Sequence, residues 1–356
     1  MLGMPNIKQF VAIFPGMKKL SPFALALVSL LGLALFATAC GDDDGSDGSI
    51  TLYSGRNEEL IQPLVDDFID STGISVDVRY GDSAELALLI QTEGDNTPAD
   101  LFISQSPGAL GLLAGEGRLA TLGSDLTSLV DDGFAAGDDT WVGLTGRVRV
   151  IVYNSDLVDE TDLPSSVLDL VEPEYVGKVG VAPTNGSFQD FVTAMRNELG
   201  DDATRDWLVG MARNNSPNYP KNSPIVEAVG RGEIPMGLVN HYYNLRAVEA
   251  DPSVASKNHF LPVDDIGSLV IVTAGAVLST SEASEAAESL LSFLLSDDAQ
   301  MTFAEQTQEY PLVAGIAPPA DLPSLDGYAA QTIDYDLLGD GLLGTINLIR
   351  ESGIEQ

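Results

Sequence analysis

The stretch that stands out chemically is Leu238-Val239-Asn240-His241-Tyr242-Tyr243-Asn244, which sets two adjacent phenols beside an imidazole and two carboxamides. The apolar run from Ile234 to Val239 reads as a buried strand, and a helix follows the tyrosines. The cluster therefore falls at the carboxyl end of a strand, where open α/β sheets bind ligands. Two readings are open at this level: a ligand site, or aromatic filler with the two rings pointing in different directions.

Enzymatic chemistry finds little support. The chain has two histidines, His241 and His259, and one cysteine, Cys40. It lacks a Gly-x-Ser-x-Gly elbow, a P-loop and a dinucleotide fingerprint, and its glycines in Tyr175–Val181 lack phosphate-cradling spacing. Carboxylate pairs are as frequent as an acidic composition makes them, so none marks a general acid and base. Zinc sites of His and Cys are excluded by count.

The elements that must position the cluster alternate strand and helix, the pattern of an α/β protein. Ile50 and Leu52 open a strand; Leu60, Ile61, Leu64, Val65, Phe68 and Ile69 recur at helical spacing; Ile74, Val76 and Val78 form the next strand. Pro63 fits that helix only in its first turn or at a kink. The series continues with a helix over 84–91, a strand over 101–103 and a helix over 108–115. A strand over 179–182, helices over 188–198, 202–214 and 224–231, and helices over 283–295 and 298–306 complete it. Val142–Tyr153 is β-like and long enough to cross from one lobe to another, and Gly267–Leu278 reads as the return crossing. The tail from about Asp334 is expected to pack across the second lobe.

Residues 1–40 read as an export signal, with Lys18 and Lys19 ahead of an apolar run from Phe23 to Ala39. Met17 offers an alternative start to Met1. Ala37-Thr38-Ala39-Cys40 resembles a lipobox, with Cys40 the expected lipidation site; it is the chain's single cysteine, so no internal disulfide can form. Residues 41–48, Gly-Asp-Asp-Asp-Gly-Ser-Asp-Gly, are too polar to pack and form a flexible acidic tether. The formal charge of −36 opposes binding to nucleic acid and anionic lipid.

Six segments resemble, in order, the bacterial ferric-ion-binding proteins, type II periplasmic binding proteins that serve iron ABC transporters and are related to transferrin. They are Ile50-Thr51-Leu52-Tyr53-Ser54-Gly55-Arg56, Glu93-Gly94-Asp95-Asn96-Thr97-Pro98-Ala99-Asp100, Gly146-Arg147-Val148-Arg149-Val150, Pro183-Thr184-Asn185-Gly186-Ser187-Phe188, Lys221-Asn222-Ser223 and Asn240-His241-Tyr242-Tyr243. The resemblance implies two lobes, each a mixed sheet flanked by helices, joined by two crossing strands: residues 49–148 with 268–322, and 149–267 with 323–356. It implies an extracytoplasmic receptor, expected to be monomeric and, from the lipobox at Cys40, lipid-anchored, that closes on Fe(III) and a synergistic phosphate or carbonate and delivers the iron to an ABC permease.

It further implies that Tyr242 and Tyr243 ligate the metal, in keeping with the preference of a hard trivalent cation for phenolate oxygen. The anion would rest on Asn185, Gly186 and Ser187 at a helix N-terminus, touched by Asn222 and Asn240. Asn57 and Gln105 occupy the first-lobe metal positions where well-studied members carry His and Glu. Neutral amides are poor ferric ligands, so the first lobe could contribute only weak or water-mediated contacts, neighbouring Glu58 or Glu59 could substitute, or anion and water could fill those positions. Arg56, Arg147 and Arg149 could orient the anion, but a structural ion pair is the expected role of each. An organic or oxyanionic solute, of the phosphonate or polyamine class, is the alternative cargo on the same scaffold. A secreted enzyme is the remaining alternative.

Overall fold

The computed structural model describes residues 49–319, 322–325 and 335–356. The export signal, Cys40 and the tether lie outside the described residues, as does Asp334. The chain begins β1 (Ile50–Ser54), α1 (Glu58–Thr72), β2 (Val76–Tyr80), α2 (Ser83–Glu93), β3 (Leu101–Ser104) and α3 (Pro107–Gly115). β1 pairs in parallel with both β2 and β3, as strand-helix-strand units require. α1 buries Leu60, Ile61, Leu64, Val65 and Phe68 and stops at Gly73, whose φ of 75° lets its N–H reach the Ile69 carbonyl. Pro63 lies inside α1, past the first turn. Its solvent-facing position leaves water to satisfy the carbonyl that loses a helical partner.

β4 (Val142–Asn154) is buried along all 13 residues. β5 (Val179–Gly180), α4 (Gly186–Leu199), α5 (Asp201–Arg213), α6 (Asn222–Gly230), β6 (Met236–Asn240), α7 (His241–Ala250) and β7 (Ser256–His259) follow. The chain then forms β8 (Val270–Val277), α8 (Ser284–Leu294), α9 (Asp297–Thr302), β9 (Tyr310–Pro311) and α10 (Tyr335–Ser352). The strand order is β2-β1-β3-β8-β4-β6-β5, with β7 and β9 also pairing with β4. β4 serves two sheets in turn. Val142–Val148 pairs antiparallel with β8, whereas Arg149–Tyr153 pairs antiparallel with β6. At the changeover the Arg149 N–H donates to the Leu269 carbonyl at 3.0 Å. The first sheet is β2-β1-β3-β8-β4 with β9; the second is β4-β6-β5 with β7.

Three features depart from the sequence reading. β7, Ser-Lys-Asn-His, has no apolar alternation, and β9 is two residues long; both exist because β4 offers edges to pair with. The helix expected over 298–306 gives way after Thr302 to a π turn over Phe303–Thr307, ending at Gln308 with φ 60°. The C-terminal helix packs not only on α4 and α5 but also on α3. α3 buries Pro107, Gly108, Ala109, Leu110, Gly111 and Leu113, residues all round its axis, so it needs apolar cover on more than one side. α10 presents Leu342, Leu348 and Ile349 among its buried residues.

Candidate functional site: a tyrosine pair and a polar turn in one cleft

β6 ends at Asn240 and α7 starts at His241, so both tyrosines sit in the first turn of a helix. They do not diverge. Their rings stack, with centroids 4.1 Å apart and planes inclined by 30°. Tyr242 is buried and Tyr243 partly exposed. Both line a cavity of about 50 Å³ together with Gln105, Arg147, Asn185, Gly186, Ser187 and Asn240. That polar lining is not what aromatic filler would show. Burial, with Tyr243 and Glu309 nearby, pushes the Tyr242 phenol well above its usual range, against the pull of Arg147. Tyr242 therefore keeps its proton at neutral pH unless a strong cation arrives to displace it.

His241 is committed elsewhere. Its Nδ1 accepts the Val148 N–H at 3.1 Å, which leaves Nε2–H to donate to the Gln308 carbonyl at 2.9 Å. Burial pushes its imidazole down to about 4, so the ring is neutral and both nitrogens are occupied. His241 ties the start of α7 to the β4 changeover.

The polar turn is held by its own hydrogen bonds. Asn185 caps α4: its Oδ1 accepts from the Ser187 N–H at 3.2 Å and the Ser187 hydroxyl at 2.6 Å. Asn222 Nδ2 lies 3.5 Å from Asn185 Oδ1 and 3.4 Å from Ser187 Oγ. A Cβ built at Gly186 would meet nothing within 4 Å, so the backbone there borders open space. Arg149 Nη1 donates to the Ser187 carbonyl at 3.2 Å and approaches Asn240 Oδ1 at 3.5 Å. The residues expected to touch an anion, Asn185, Gly186, Ser187, Asn222 and Asn240, thus form one connected group.

The three arginines divide. Arg56 Nη2 pairs with Glu309 at 2.8 Å, both side chains fully buried, and Arg147 lies 4.0 Å from the same carboxylate. Burial alone would raise the Glu309 carboxyl, but Arg56 and Arg147 more than offset it and hold it low. The ion-pair expectation fails for Arg149, which pairs with no carboxylate among the described residues. Its guanidinium lies over Phe191 and Phe188, with Nε and Nη2 unpartnered, and burial pushes it down to about 10. Glu309 gave no signal in the sequence, because its partners lie 253 and 164 residues away at Arg56 and Thr145.

On the opposite wall, Asn57 is exposed at the head of α1 and Gln105 is half-buried after β3. Arg147 Nη2 donates to the Gln105 backbone carbonyl. Gln105 borders the cavity of the tyrosine pair. Asn57 borders a larger one of about 830 Å³, whose walls also include Glu58, Glu59, Asp82, Gln105, Lys221 and Tyr243. Glu59 reaches across to Arg246 of α7 at 3.5 Å.

A mixed sheet shared through one long strand, with a polar cleft at the strand ends, is the arrangement of a solute receptor of the type II periplasmic binding protein fold. Residues 96–339 match the family of bacterial extracellular solute-binding proteins, and the chain belongs to that family, which binds solutes rather than transforming them. The chain is 30% identical over 338 residues to the Fe(3+)-binding periplasmic protein of Serratia marcescens, covering 94% of this chain and 98% of that protein. To the major ferric iron-binding protein of Neisseria meningitidis serogroup B it is 34% identical over 283 residues, covering 78% and 85%. The crystal structure of iron-bound HitA from Pseudomonas aeruginosa superposes with a TM-score of 0.81 at 33% identity, covering 86% of this chain and 99% of that one. Among the described residues no helix is long and apolar enough to cross a membrane.

Proposed function

We propose that the protein captures ferric iron between two lobes, residues 49–148 with 268–322 and residues 149–267 with 323–356, and passes it to the permease of an ABC importer. Tyr242 and Tyr243 supply phenolate oxygens, and a synergistic phosphate or carbonate rests on Asn185, Gly186 and Ser187 with Asn222 and Asn240 beside it. One observation carries this reading: two stacked phenols and a hydrogen-bonded helix N-terminus face the same small cavity. The relatives named for ferric iron agree with it. An oxyanionic solute alone would use the turn but leave the tyrosine pair without a role.

Iron and anion bind first to the wall carrying the tyrosines, and the Asn57 and Gln105 wall then closes over them by hinge motion at the β4 and β8 crossings. Closure is favoured only to the extent that the cargo binds the closed form better. Cys40, acylated after removal of residues 1–39, tethers the receptor to the membrane surface through residues 41–48; replacing Cys40 by Ser should release it into the soluble fraction. The central test is a titration with ferric citrate in phosphate buffer. The wild type should develop a visible tyrosinate-to-iron charge-transfer band, and a Tyr242→Phe/Tyr243→Phe variant should not. A colourless wild type with no iron bound would end the ferric reading.

A further inference from the structure

The two first-wall positions, Asn57 and Gln105, carry neutral amides, yet ferric iron held by two phenolates still bears one positive charge. Among the described residues four carboxylates border the two cavities: Glu58, Glu59, Asp82 and Asp190. Glu58 and Glu59 border only the larger cavity, and Glu59 is paired with Arg246. Asp190 borders only the smaller one; it is buried, and burial pushes its carboxyl up to about 7. Asp82 alone among them borders both.

Asp82 is also held in place. As N-cap of α2 it accepts the Ala84 N–H on Oδ1 at 3.0 Å, which fixes the side chain and leaves Oδ2 without a hydrogen-bond partner among the described residues. Tyr243, Gln105 and Asn185 border the same two cavities. The inner cavity bears a second mark of a polar occupant. Asp190 is one of its lining residues, and although Ser106 hydrogen-bonds its carboxyl, Oδ2 is buried with no hydrogen-bond partner, a state that native interiors rarely leave unfilled.

We infer that Asp82 Oδ2 is the anionic ligand that the first wall contributes to the ferric ion, in the role that Asn57 and Gln105 are too weakly basic to fill. This rests on the ferric reading above. With Asp82 the metal and its protein ligands sum to zero charge before any synergistic anion binds, and the anion's charge is met by Arg147 and Arg149. The ligand also comes from the wall that closes, so metal capture and closure reinforce each other.

The test compares wild type, Asp82→Asn and Glu85→Gln, each loaded from ferric citrate in phosphate buffer. Asn caps helices as well as Asp, so Asp82→Asn should fold normally, which the thermal melt of the iron-free protein checks. Glu85→Gln removes an exposed charge from the same first turn, outside both cavities. The expected result is a shift of the charge-transfer band to longer wavelength in Asp82→Asn, because losing an anionic ligand makes the iron a stronger acceptor. Ferric affinity in citrate competition should fall by more than about 100-fold, the upper end of what losing even an outer-shell partner costs. Glu85→Gln should match wild type. An Asp82→Asn protein with the wild-type band and affinity would overturn the assignment while leaving the tyrosine site intact. A wild type without any band would remove both.

Discussion

The two walls of the cleft are built differently. On the α4 and α7 side, Asn185, Ser187, Asn222, Asn240 and Arg149 hold one another through hydrogen bonds, and the two tyrosine rings stack on each other. On the other side Asn57 is exposed, Glu59 is tied only to Arg246 of the facing wall, and Asp82 is anchored through one oxygen. Preorganisation lowers the entropic cost of binding, so the organised wall should dominate affinity. The looser wall can change its ligands without dismantling the site, so neutral Asn57 and Gln105 on that wall are compatible with binding through the other.

The sharpest way to break the contrast is to remove the phenols. Tyr242→Phe/Tyr243→Phe should weaken ferric binding by more than about 1,000-fold, roughly 4 kcal/mol, measured by citrate competition. The buried frame comes next: Glu309→Gln leaves Arg56 and Arg147 without their shared carboxylate. Removing one partner of a buried pair costs roughly 3–5 kcal/mol, to be read from denaturant unfolding of the iron-free protein.

The His241 fastening predicts a pH signature of the organised wall. Its folded-state value of about 4 lies below the ordinary 6.5, so the unfolded chain binds the proton first. Stability should fall as pH drops from about 6.5 to about 4, by at most about 3 kcal/mol. Asp190, raised to about 7, works in the opposite direction over an overlapping range. The diagnostic quantity is therefore the difference between wild type and His241→Gln, which should shed this component of the slope.

The smallest change sharpens the other wall. Asn57→His puts an imidazole, a stronger metal ligand than a carboxamide, at the head of α1 and should raise ferric affinity by about tenfold, ~1.4 kcal/mol. If it has no effect, the metal does not reach Asn57.

The sequence made much of this visible. Helical and strand periodicity located most of the regular elements, and the tyrosines fell at a strand's carboxyl end, where ligand sites are expected. The turn at Asn185–Ser187 came from the resemblance of Pro183–Phe188 to the family's segment; its own residues read equally well as an ordinary helix cap. Other parts were not legible. β7 and β9 are defined by the edge they join rather than by their own residues. Glu309 looks like one acid among many until folding carries it to Arg56, and Asp82 reads as an ordinary helix cap. His241, beside the tyrosines, invites a ligand role that its two backbone hydrogen bonds exclude.

The length of β4 carries a further consequence. Side chains alternate faces along a strand, so one residue inserted between Val148 and Arg149 would leave the pairing of Val142–Val148 with β8 untouched. Every side chain from Arg149 to Asn154 would then turn to the reverse side. Arg149 would leave Ser187, while Arg147 would stay with Glu309. A single added codon at that point should therefore preserve a folded first sheet and uncouple it from the cargo, although no residue of the cleft has been altered.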